Sequence, residues 1–138
     1  MLGSVNHLAS WSTAIRLFLH VGAASIWVGG QLVMLGMLPT ARSLGEGAPK
    51  ALANAFAKLA WPAYAVLLIT GFWNISAVGS GTNTWTAVLM IKLAVVLLAG
   101  LGAYLHGAAT KRSQIALWGS VSGAASIAAL ALGIFLAG

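Results

Sequence analysis

Long apolar runs separated by short polar breaks make up almost the whole chain. Residues 11–38 form one run, 51–78 a second, 85–109 a third and 113–137 a fourth. Crossing about 30 Å of hydrocarbon takes roughly 20 residues of helix, and an isolated apolar segment satisfies its own backbone hydrogen bonds in lipid only as a helix. The pattern predicts an all-α integral membrane protein, a single transmembrane domain over 1–138. Connections this short force neighbouring helices to alternate in direction, which predicts an up-down-up-down four-helix bundle.

The breaks set the expected helix ends. Pro39 is expected to stop the first helix, and a polar connection over 42–50 to follow it. GSGTNT at 79–84 reads as a turn cluster. Lys111 and Arg112 form a very short third connection. The second helix opens with Lys50, Asn54 and Lys58 at successive i, i+4 positions, a polar face suited to the interface. Tryptophan favours headgroup depth, so Trp11 and Trp85 mark one side of the membrane and Trp61 and Trp118 the other. Trp27 and Trp73 fall deeper and are expected to pack. The 17 glycines, together with Gly119, Gly123 and the Ala124-Ala125-Ser126 run, predict helices that approach closely.

Composition agrees with the pattern. The chain is 60% hydrophobic and 6% charged, against about 25% charged in an ordinary soluble domain. A net charge of +6 would suggest nucleic acid if it were gathered on a soluble face. Instead the basic residues lie mostly at the ends of apolar runs, so nucleic acid is excluded and the expected partner is the lipid bilayer. Lys and Arg are retained on the cytoplasmic side, which places Arg42, Lys50, Lys58, Lys111 and Arg112 inside. The expected location is the bacterial inner membrane, multi-pass, with both termini outside. The first apolar run is too long for a signal-peptide core and has no basic segment before it, so no cleavable signal is expected. With so little mass outside the membrane, a homo-oligomer or a larger membrane complex is also expected.

Missing residue types narrow the chemistry. There is no cysteine, which excludes disulfides and thiolate chemistry. Glu46 is the sole acid and sits in a connection, so paired carboxylates and hard-cation sites within the bundle are excluded. No Ser-His-Asp triad can form without an Asp.

Ionisable groups within a span are costly and usually mark function. They are His20 on the first helix and Lys92 and His106 on the third. In an up-down bundle these two helices are parallel and diagonal, so their side chains can meet across the core at matched depth. His20 lies 9 residues after Trp11 and Lys92 lies 7 after Trp85, giving one expected pair. Met34 is 14 residues beyond His20 and His106 is 14 beyond Lys92, which gives a second pair two heptads deeper. His, Met and neutral Lys ligate haem iron or copper, and bundle cores hold such sites between facing helices. The bland alternatives are a snorkelling Lys92, histidines bonded to neighbouring groups, and Met34 as filler. Arg16, one turn above His20, is either a snorkelling anchor or the partner of a haem propionate or another anion.

The segment FLHVGAASIWVGGQLVM at 18–34 resembles the opening of the copper-resistance D (CopD) membrane family, in which a His is followed seven residues later by Trp and then by Gly-Gly. Here these are His20, Trp27, Gly29 and Gly30. The same His-to-Trp spacing, with Trp85, Lys92, Leu93, Tyr104 and His106 downstream, is similar to the HemJ-type protoporphyrinogen oxidase family. That resemblance implies haem b held by His20 and Lys92, and an oxidoreductase role. Leu38-Pro39-Thr40-Ala41-Arg42 departs from the Leu-Pro-Arg segment usual in the HemJ type, and the Gly pair is closer to CopD. Three functions follow as expectations: haem-linked electron transfer or oxidation, copper binding or permeation through His20, His106 and Met34, and a non-catalytic accessory role within a larger complex.

Overall fold

The structure, a computed structural model, describes residues 7–138. Among them are four helices long and apolar enough to cross a membrane: α1 over Trp11–Ser43, α2 over Ala48–Val78, α3 over Asn83–Ala108 and α4 over Arg112–Ala137. At about 1.5 Å per residue each exceeds the thickness of the hydrocarbon core. Helix starts follow capping chemistry. Ser10 Oγ accepts from the Thr13 N–H at 3.2 Å ahead of α1, and Thr82 Oγ1 accepts from the Trp85 N–H at 3.1 Å ahead of α3. Helix α2 ends at Gly79, whose φ of 76° is a conformation that residues with a side chain rarely adopt.

The connections are shorter than the sequence suggests. Helix α1 runs through Pro39 to Ser43 and does not stop before it. The residues beyond Pro39 form barely one turn, so the lost backbone hydrogen bond matters little there. Ala48 and Pro49 then open α2, since a first turn has no use for the missing N–H. The residues joining α1 to α2 are therefore 44–47, and Lys50 is already helical.

Neighbouring helices alternate in direction, and the hydrogen bonds reveal their register. Along the α1–α2 seam, Arg16 meets Asn74 and His20 meets Thr70, so four residues down one helix match four residues up the other. Along α3–α4, Trp85 Nε1 donates to Leu136 O at 3.3 Å, Ser122 Oγ donates to Ala99 O at 2.8 Å, and His106 Nδ1 donates to Ile115 O at 2.7 Å. Tyr64 ties α2 to α3 by donating to Val96 O at 2.9 Å, and Trp27 ties α1 to α4 by donating to Ser126 Oγ at 2.9 Å. The four helices close a ring in which α1 and α3 are diagonal.

Six of the eight buried hydrophobic residues among those described are alanines: Ala23, Ala41, Ala60, Ala63, Ala99 and Ala125. Large apolar side chains such as Phe18, Phe72, Leu97 and Phe135 are exposed instead, as helices surrounded by lipid require. Trp27 is buried, as expected, but Trp73 is 38% exposed. Lys50, Asn54 and Lys58 all lie on the exposed side of α2.

One irregularity was not foreseen. Residues Ser25–Gly29 form a π-helical segment inside α1. It begins where Ser25 Oγ donates to Val21 O at 2.8 Å, a back-bond that loosens the regular ladder. A π turn holds one residue more than an α turn, so it shifts by one position the face presented by everything beyond it. The two-heptad spacing from His20 to Met34 crosses this segment and loses its meaning as a single face.

Candidate functional site

Of the four buried polar residues among those described, Arg16 and Thr70 lie on the α1–α2 seam, near the end that carries the 79–82 connection, and Ser122 and Ser126 lie on α4. Arg16 is 8% exposed, and its Nη1 donates to Asn74 Oδ1 at 2.8 Å. One turn deeper, His20 Nδ1 lies 2.7 Å from Thr70 Oγ1. The Thr70 hydroxyl is fully buried and also lies 2.6 Å from Val66 O. A carbonyl only accepts, so the single Thr70 hydroxyl proton goes to Val66. Thr70 must then accept from His20, which fixes a proton on Nδ1 and, in the neutral ring, leaves the Nε2 lone pair free. This arrangement, with one ring nitrogen donating to a supporting group and the other bare, is the one that metal-ligating histidines use.

Lys92 does not hydrogen-bond to His20 among the described residues. Its side chain lies over α4, where a Cβ added at Gly133 would sit 3.0 Å from Nζ. His106 repeats this fourteen residues on, with Gly119 beneath its ring. The spacing of Lys92 and His106 does define one face of α3, and that face meets glycines of α4. His106 is held by Ile115 O on α4, and Met34 is half-buried on the far side of the π segment. No hydrogen bond joins the expected outer pair among the described residues, and His106 is engaged with α4 instead of α1. Among the described residues no three His, Cys, Asp or Glu side chains come together.

Sequence reasoning missed Asn74, Thr70, Gln31 and Tyr64. Asn74 and Thr70 are uncharged, one turn apart on α2, and their spacing was the available signal. Deeper in the bundle, Trp27, Trp61 and Tyr64 form an aromatic cluster with ring centroids 4.7–5.8 Å apart. Gln31 Nε2 and Trp27 Nε1 both donate to Ser126 Oγ, which donates onward to Ser122 O at 2.7 Å. Two shallow surface grooves lie away from His20. One runs along the lipid side of α1 at Leu17, Phe18 and Val21, and the other lies at Trp61, Tyr104 and Gly107.

No family model matches the chain, and no curated protein or solved structure proves similar to it.

Proposed function

We propose that this chain is a small integral membrane haem b-binding protein of the CopD/HemJ-like type, serving electron transfer or haem-linked oxidation. The observation that carries the reading is His20. Thr70 holds its Nδ1 proton, and the free Nε2 lone pair on a half-buried ring suits an axial bond to iron. Lys92, on the diagonal helix at similar depth, is assigned as the second nitrogen donor, and Arg16 supplies positive charge one turn above His20. The donor set fits haem, with nitrogen for iron, a cation for an acidic edge and lipid-facing apolar surface around them. Haem would supply one-electron chemistry. The chain's own residues fix the ligand tautomer, set the local charge and keep bulk water away. In this reading the protein lies in the bacterial inner membrane with both termini outside, because four of its seven basic residues lie in or next to the 44–47 and 109–111 connections and a fifth, Lys58, lies in the adjoining part of α2.

A reduced-minus-oxidised spectrum with metal analysis on the same purified sample tests the function. A b-type spectrum that His20→Ala abolishes, with the protein still in the membrane, is expected. Unchanged haem content in that variant eliminates the assignment. Cysteines at Ser80 and Ser113 should label from opposite sides, Ser80 from outside.

A further inference from the structure

The guanidinium of Arg16 has no counter-charge among the described residues. The sole acid of the chain, Glu46, lies in the connection beyond the far end of α1, thirty residues away, or roughly 45 Å at 1.5 Å per residue. Arg16 is nonetheless more than nine-tenths buried, and its Nε is a buried donor without a hydrogen-bond partner among the described residues. An uncompensated charge removed from water is strongly unfavourable, so buried cations are ordinarily paired.

Only Asn74 answers it, and in a telling way. A guanidinium donates and never accepts, so the Asn74 amide must present its oxygen to Nη1. Its NH2 group then adds two further donors, which make no hydrogen bond among the described residues. The site therefore holds the Arg16 Nε–H, the remaining Arg16 N–H groups and the Asn74 NH2, a set of donors around one positive charge. A cluster of donors around a planar fork is complementary to one ligand class, an oxyanion with two or more oxygens.

We propose that Arg16 and Asn74 form a receptor for a single oxyanion, a carboxylate or a phosphate, at the 79–82 end of the α1–α2 seam. A carboxylate would come from a haem propionate, and in that form the inference rests on the haem reading. A phosphate would come from a phospholipid headgroup, and in that form it stands alone. The anion neutralises the guanidinium, fills the Nε valence and pins α1 to α2 above His20.

Two titrations of the full-length protein in maltoside detergent separate the sources. In the first, haem b and its dimethyl ester are added to wild type, Arg16→Gln and Asn74→Ala, and the Soret band is followed. If a propionate is bound, the ester binds wild type roughly tenfold to a hundredfold more weakly than haem does, and Arg16→Gln abolishes that difference. Asn74→Ala, which leaves the cation in place, narrows it severalfold. In the second, phosphatidylglycerol is added and bound lipid is counted by native mass spectrometry. If a phosphate is bound, wild type retains one lipid that Arg16→Gln loses and Asn74→Ala holds more weakly. Failure of wild type to bind haem at all removes the haem reading and leaves the lipid measurement to decide. If wild type shows neither discrimination against the ester nor an Arg16-dependent lipid, the receptor is overturned. Asn74→Ala keeps the test informative should Arg16→Gln not fold.

Discussion

The two long seams of this bundle are built on opposite principles. Along α3–α4 the backbones come close because glycines line the contact. A Cβ at Gly102 would lie 3.0 Å from Ser122 N, and Gly119 and Gly133 leave room for His106 and Lys92. Hydrogen bonds across that seam run from side chains to backbone carbonyls, from Ser122 to Ala99, His106 to Ile115 and Trp85 to Leu136. Such bonds tie helix to helix and leave little to offer a ligand. Along α1–α2 the bonds run from side chain to side chain, and each leaves something over: a free Nε2 on His20 and an orphan Nε on Arg16. One seam is packed for cohesion, and the other keeps residual valences for chemistry.

The largest expected effect comes from forcing the tight seam apart. Gly102→Val should destabilise the bundle by about 3 kcal/mol, because overpacking against a backbone nitrogen cannot be relieved by a rotamer change. A fall in the midpoint of thermal unfolding in detergent checks this, and an unchanged midpoint would show that α3 and α4 are not in close contact. Next is Thr70→Val, which keeps the shape and removes the acceptor that fixes His20. Losing a buried hydrogen bond should cost about 1–2 kcal/mol, and haem affinity should fall roughly tenfold to a hundredfold, as when other groups that orient a ligating histidine are removed. Lys92→Arg keeps the charge but cannot supply a neutral nitrogen. Under the proposed ligation it should change the haem spectrum, and a wild-type spectrum would assign Lys92 to packing on Gly133 alone. The smallest effect is expected at His106. His106→Phe should lose about 1 kcal/mol with the bond to Ile115 O and leave haem content untouched, and loss of haem in that variant would erase the contrast between the seams.

Lys92 and His106 show how far spacing carries. Fourteen residues apart in unbroken α-helix, they do share a face. Which helix that face meets depends on packing, and glycines placed fourteen residues apart on α4, Gly119 and Gly133, draw it there. His20 and Met34 show where spacing fails, since Ser25–Gly29 adds a wider turn that no propensity of Ser, Ile, Trp, Val or Gly announces. The partners of Arg16 and His20 were hidden for a different reason. Asn74 and Thr70 are inexpensive enough in a span to pass as ordinary helix residues, so their spacing becomes a signal only once α1 is set antiparallel against α2 in register.

The sequence by itself determined the helix count, the alternation of direction, the lipid environment and the short list of ionisable groups. These follow from the length of apolar runs and from the cost of bare backbone and buried charge in hydrocarbon, which are local and additive along the chain. The tertiary structure alone decided which groups face one another, which ring nitrogen of His20 stays free and which donor of Arg16 goes unanswered. Those depend on register, on one inserted turn and on where glycine lets two backbones close, and each is a property of two helices together.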